Sequence, residues 1–210
     1  MDIAGLYAIT DPDLLPGSRL VDAASAAIDG GATIIQYRNK HANAATRLHE
    51  AEILNALCRD AGALLIINDD IELALACGAH GVHLGQRDGA IDDARSALGA
   101  EAIIGQTCHA SIELALAAQA AGANYVAFGR FFPSHTKPQA APADIALLPV
   151  ARGVIDIPII AIGGVTVENA PALIRAGADA VAVIHNLFSV GDVAARARAF
   201  TALFNRGISR

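Results

Sequence analysis

Lysine is nearly missing from this chain: of 15 basic residues only Lys40 and Lys137 are lysines, and they lie far apart. No basic run occurs and the formal charge is −6, which excludes a nucleic acid bound over a broad electrostatic surface. Any anion must be held locally. Cysteine is sparse too: Cys58, Cys77 and Cys108 are odd in number, widely spaced and set in apolar segments, supporting neither a disulfide framework nor a zinc motif. No apolar run approaches the ~18 residues of a spanning helix, and Met1-Asp2-Ile3-Ala4 lacks the basic start of a secretory signal. A soluble, reducing, cytoplasmic setting with no membrane partner is therefore expected. What is abundant is apolar material: 54% of the 210 residues are hydrophobic and 17% charged. This excludes a disordered chain and suits a single domain over residues 1–210 with one well-buried core.

A Gly-Ala pair recurs at Gly31, Gly62, Gly78, Gly99, Gly122 and Gly177, each time after an alanine-rich amphipathic stretch and before an aliphatic run. Glycine there suits the residue after a helix, where it turns the chain into the next strand. Strands are expected at Ile3–Ile9, Thr33–Asn39, Ala63–Asn68, Gly81–Leu84, Ala102–Thr107, Tyr125–Phe128, Pro158–Ile162 and Ala180–Ile184. Helices are expected at Arg19–Asp29, Ala44–Asp60, Ile71–Cys77, Ile91–Leu98, Ser111–Ala120, Ile145–Arg152, Val167–Ala176 and Val193–Phe204. Eight short strand-helix units fit a compact α/β fold, the (β/α)8 TIM barrel. A doubly wound open sheet competes, but no Gly-x-Gly-x-x-Gly follows the first strand to support its dinucleotide-binding form.

In a barrel, chemistry belongs to the loops after the strands. After the second strand, Gln36, Arg38 and Lys40 alternate onto one face; an aliphatic interior would not accept them, so they are expected at the wet mouth. Arginine and lysine converging there suit a phosphate or diphosphate, the plainer alternative being a strand end fraying into solvent. After the third strand, Asp70 fits a helix cap, whereas Asp69 is not needed for one. Asp88 on the next loop could face Asp69, and two carboxylates completed by water and phosphate are a usual way to hold Mg2+. The fifth strand leads through Thr107 and Cys108 to His109, which could join the rim or equally begin a helix, and the loop after the sixth carries Ser134, Thr136 and Lys137. Gly163-Gly164 and Ile184-His185 end the last two strands; the glycine pair suits either a tight turn or a backbone phosphate site.

Taken in order, Tyr7-Ala8-Ile9-Thr10-Asp11, Gln36-Tyr37-Arg38-Asn39-Lys40, Ile67-Asn68-Asp69, His83-Leu84-Gly85-Gln86-Arg87-Asp88, Phe132-Pro133-Ser134-His135-Thr136-Lys137 and Ile162-Gly163-Gly164 resemble the motifs of the thiamine-phosphate synthase family. The resemblance implies a homodimeric (β/α)8 barrel and a transferase joining 4-amino-5-hydroxymethyl-2-methylpyrimidine diphosphate to 4-methyl-5-(2-phosphoethyl)thiazole, giving thiamine monophosphate and diphosphate. It implies that Arg38, Lys40, Asn68 and Lys137 bind the departing diphosphate, with Arg38, Lys40 and Lys137 taking the catalytic roles. Asp69 and Asp88 would ligate Mg2+ and Gln36 would bind the pyrimidine. Thr107 stands where the family often has serine and keeps the hydroxyl. Ser134 and Thr136 match a substrate loop, Gly164 the thiazole-phosphate turn, and Ile184-His185 a site that is commonly Ile-Ser. His185 is the departure: the serine hydroxyl is gone, though a backbone contact could persist. A thiazole tautomerase on the same barrel, or a non-catalytic phosphate-binding barrel, would leave the acids and both lysines unexplained.

Overall fold

The computed structural model describes residues 3–134 and 141–205. Its strands are β1 (Gly5–Ile9), β2 (Ala32–Tyr37), β3 (Leu64–Asn68), β4 (Gly81–Leu84), β5 (Ile103–His109), β6 (Tyr125–Phe128), β7 (Ile159–Ile162) and β8 (Ala180–Val183). All pair in parallel, each with its sequence neighbours, and β8 closes onto β1 through Leu6 opposite Val181. The described helices are α1 (Arg19–Asp29), α2 (Ala44–Ala61), α3 (Ile71–Cys77), α4 (Ile91–Leu98), α5 (Ile112–Ala120), α6 (Leu147–Arg152), α7 (Ala170–Arg175), α8 (His185–Phe188) and α9 (Val193–Asn205). The closed barrel is the expected one, and the open sheet is excluded.

Alternation along each strand builds two apolar layers. One face, with Ile35, Leu65, Val82, Ile104, Val126 and Val181, packs on the helices, against Ala24, Leu54, Leu148 and Phe200 among others. The other fills the barrel with Tyr7, Ile9, Ile34, Leu64, Ile66, Tyr125, Ala127, Ile160 and Ala182. Local chemistry marks the helix ends. Asn43, Asp70 and Ser111 cap α2, α3 and α5 by accepting the N–H of Thr46, Leu73 and Leu114. After α2 and α3, Gly62 and Gly78 take left-handed φ of 70° and 66°, which a side chain would resist.

Two boundaries differ usefully from expectation. The second strand stops at Tyr37, leaving Arg38, Asn39 and Lys40 in the loop. The eighth stops at Val183, because Ile184 begins a turn whose carbonyl accepts the N–H of Leu187 and Phe188, forming α8.

His80 joins three strands at the foot of the barrel. Its N–H donates to the Leu65 carbonyl, its Nδ1 accepts the Leu65 N–H at 3.0 Å, and its carbonyl accepts the Ile103 N–H. Burial, helped by the Arg59 charge, holds its pKa below the ordinary 6.5. The folded state thus favours neutral His80, so its contribution is complete above pH 6.5 and is lost as pH falls from there through the depressed folded value. His80→Asn can accept the same N–H without titrating. Urea denaturation between about pH 5 and 7.5 should show a shallower acid-side loss for the variant, and parallel profiles would refute the assignment.

Candidate active site

The barrel interior beneath the mouth is not purely aliphatic. Tyr7 on β1 and Tyr125 on β6 are fully buried and meet edge to face, with ring centroids 6.0 Å apart and hydroxyl oxygens at 2.9 Å. Gln36 on β2 donates its amide N–H to the Tyr7 oxygen at 2.8 Å. His83 on β4 stacks on Tyr125 at 5.5 Å, places Nδ1 3.0 Å from the Tyr125 hydroxyl, and sets Nε2 2.8 Å from the Thr107 hydroxyl on β5. Gln36 is only 3% exposed, so the expectation that it lies at the wet rim is corrected: a phenol inside the barrel satisfies its amide. The motifs alone assign no role to Tyr7, Tyr125 or His83. Two tyrosines and a histidine in otherwise aliphatic strands were the available signal.

Above this floor, the loops after β2, β3 and β4 form the rim. Thr10, buried at the end of β1, accepts the Arg38 N–H, and the Arg38 guanidinium lies 4.0 Å from Asp11. Tyr37 and Asn39 both donate to the Glu50 carboxylate on α2, which ties the base of this loop to the helix. Lys40, half exposed, reaches across to Asp69 at 2.8 Å. Asp69 has a left-handed φ of 63°, a conformation aspartate tolerates better than most residues, and its N–H is held by the His83 carbonyl. Asn68 donates to the same carboxylate oxygen at 2.6 Å. Asp88 faces Asp69 and also accepts the Gly85 N–H. A Cβ on Gly85 would sit 2.3 Å from Asp88 Oδ2, so the close approach requires glycine.

The two acids titrate oppositely. Burial works against the Asp69 charge, but the bond and charge of Lys40, aided by Asp88 and Asn68, hold its carboxyl below the usual range. Burial, then the charge and hydrogen bond of Asp69, push Asp88 up. Beside them a cavity of about 420 Å3 is lined by Lys40, Asn68, Asp69 and Asp88 together with Tyr37, Asn39, Arg47, Ile67, Asp70, Ile71 and Glu72. Arg47, which lies outside the strand-end motifs, enters from α2 and pairs with Asp70 at 2.7 Å. Asp70 caps α3, as expected.

On the other side of the mouth, the Phe131 and Phe132 N–H groups donate to the Ile162 and Gly163 carbonyls, while Arg130 accepts the Ala143 N–H. Both ends of the loop after β6 are therefore anchored. Ser134 is half-buried on its ascending side; His135, Thr136 and Lys137 lie outside the described residues. A Cβ on Gly163 would meet Arg130 at 2.3 Å, and one on Gly164 the Pro133 carbonyl at 2.2 Å. The glycine pair thus has a packing reason, the close passage of this loop. Ile184 and His185 stand at the neighbouring strand end, His185 opening α8. His109 ends β5 exposed, with φ 51°, rather than starting a helix.

The chain matches the family described as thiamine monophosphate synthase over residues 6–187. It superposes on thiamine phosphate pyrophosphorylase from Pyrococcus furiosus with a TM-score of 0.89 and 32% identity, the match covering 98% of each chain. It is also similar to thiamine phosphate pyrophosphorylase from Bacteroides thetaiotaomicron (TM-score 0.71, 15% identity, 96% of this chain and 98% of that one). A third similar structure is orotidine 5'-phosphate decarboxylase from Pyrococcus horikoshii (TM-score 0.68, 16% identity, 95% and 99%). At those identities the last two likenesses speak to the fold alone.

Proposed function

Because the chain belongs to the thiamine monophosphate synthase family, we propose that it joins 4-amino-5-hydroxymethyl-2-methylpyrimidine diphosphate to 4-methyl-5-(2-phosphoethyl)thiazole, releasing diphosphate, and that it works as a cytoplasmic homodimer. The observation that carries this reading is the Lys40–Asp69–Asn68 cluster facing Asp88, with Arg38 on the same loop as Lys40.

The donor set fits a divalent cation. Two hard carboxylates face each other and line the same cavity, and Mg2+ is commonly held by one or two carboxylates plus substrate phosphate. Asp69 and Asp88 would hold it, and when bound it supplies neutralisation of charge on the departing diphosphate. The protein's own groups do the rest. Gln36, donating one amide N–H inward to Tyr7, keeps its carbonyl for the pyrimidine amine. Breaking the carbon–oxygen bond leaves a cation at the pyrimidine methylene, delocalised by that amine, while the bonding electrons leave with diphosphate. Arg38, Lys40 and Lys137 stabilise the charge developing on the leaving oxygens. The thiazole nitrogen then attacks the methylene carbon. Thr107, Ser134 and Thr136 add hydroxyl contacts, and Gly164, Ile184 and His185 border the thiazole phosphate.

Incubation with both phosphorylated substrates and Mg2+ should yield thiamine phosphate and diphosphate in equal amounts. Isomerised thiazole phosphate instead would identify a tautomerase, and binding without turnover a phosphate-binding barrel; either result would overturn the synthase reading.

A further inference from the structure

We propose that Tyr7, Tyr125 and His83 are positioning residues whose buried hydrogen-bond chain forces the Thr107 hydroxyl to act as a donor toward the leaving diphosphate. The identity of that acceptor rests on the synthase reading above; the direction of the chain does not.

The chain runs from Gln36 through Tyr7, Tyr125 and His83 to Thr107, with successive separations of 2.8, 2.9, 3.0 and 2.8 Å. Its sense is decided at the Gln36 end. The amide nitrogen can only donate, so the Tyr7 oxygen accepts there. Among the described residues the Tyr125 oxygen is the partner left for the Tyr7 proton. Tyr125, having accepted, donates its own proton to His83 Nδ1. A neutral imidazole that accepts at Nδ1 carries its proton on Nε2 and donates it to Thr107. The Thr107 proton is then available at the mouth.

The opposite sense begins with Thr107 donating to His83 and ends with Tyr7 accepting from both Gln36 and Tyr125. That leaves the Tyr7 proton without an acceptor at a side chain 1% exposed, and an unmatched buried donor is costly. Burial also raises the pKa of both tyrosines, which keeps the two phenol protons in place. No proton has to move along the chain. Its effect is to have Thr107 already turned as a donor before an anion arrives, where a free hydroxyl rotor would have to be ordered on binding.

The test uses the whole 210-residue chain. In 15N NMR at about pH 8, His83 should show the neutral Nε2–H tautomer; the Nδ1–H tautomer or a protonated ring would overturn the proposal. Calorimetry with inorganic diphosphate and Mg2+ supplies the second readout. Thr107→Val should weaken binding about 10- to 100-fold, the range of a hydrogen bond to a charged group, and His83→Leu, which leaves the hydroxyl as a free rotor, about 3- to 10-fold, the scale of ordering one side chain on binding. His83→Gln, whose carbonyl can accept from Tyr125 while its amide donates to Thr107, should remain within about twofold of wild type, and Thr107→Ser likewise. A histidine that only filled space would be replaced as well by leucine as by glutamine. Unchanged diphosphate affinity in Thr107→Val or His83→Leu would refute the donor role. If the wild type forms no thiamine phosphate, the synthase reading falls, while the tautomer still decides the direction of the chain.

Discussion

Asp69→Asn should reduce turnover about 100- to 1,000-fold, the scale expected when one electrostatic element of a leaving-group site is removed. The substitution is chosen to change charge and little else. Asparagine tolerates the left-handed φ of 63° that the main chain requires there, and its amide occupies nearly the same volume. The cost to folding is small by comparison. The Lys40–Asp69 pair is partly exposed, with Lys40 half in solvent, and such pairs contribute at most about 1 kcal/mol. Losing the Asp69 charge also removes one of the influences that push Asp88 up, so Asp88 should ionise more readily in the variant. Activity assays across a Mg2+ titration, paired with thermal melts, separate the effects. The expected pattern is a large fall in turnover, a rise in the Mg2+ concentration needed for half-maximal rate, and a melting temperature within about 3 °C of wild type. Turnover within a few-fold of wild type at saturating Mg2+ would remove Asp69 from the chemistry.

The frame was legible because its signals are local. A glycine after an alanine-rich helix is recognisable without tertiary knowledge, and the six Gly-Ala glycines that follow such stretches all have positive φ. Strand and helix order follow from that punctuation; eight consecutive units suit a closed barrel but also an open sheet, and it is the pairing of β8 with β1 that closes it. The rim was legible in part for the same reason: a residue after a strand end lies near the mouth whatever its side chain does. Pairing across loops was not legible. Nothing in the spacing of Arg38 and Lys40 says that one turns toward Asp11 and the other toward Asp69. A wholly aliphatic interior would put Gln36 at the rim, but the phenol that satisfies it comes from a strand 29 residues earlier. Gly163 and Gly164 show the same limit. Their need for a missing side chain was visible, but what approaches them, the main chain at Arg130 and Pro133, belongs to a different strand end.

Gly105→Ala should destabilise the protein by about 3 kcal/mol or more, the upper range for overpacking a filled core, and lower the melting temperature by about 6–12 °C. The sign is informative. Glycine inside a strand ordinarily costs roughly 0.5–1 kcal/mol relative to alanine, so local propensity predicts a gain from this substitution. The packing predicts the reverse. A Cβ at position 105 would lie 1.9 Å from Tyr125 Cζ and 2.3 Å from its hydroxyl oxygen, and Tyr125 is fully buried. The ring cannot retreat without abandoning its stack on His83 at 5.5 Å and its 2.9 Å contact with Tyr7. Glycine on β5 is thus the condition for an aromatic ring from β6 to fill the barrel and link Gln36 to Thr107. A double-mutant cycle isolates this cause: in a Tyr125→Val background, where no ring occupies the space, Gly105→Ala should cost less than about 0.5 kcal/mol or become stabilising. Equal penalties in both backgrounds would place the strain in the strand itself and not in the ring. The same pair of proteins tests the coupling of fold to site. If the ring position carries the chain to Thr107, Gly105→Ala should weaken diphosphate binding at temperatures well below its melting transition, where the barrel is still closed.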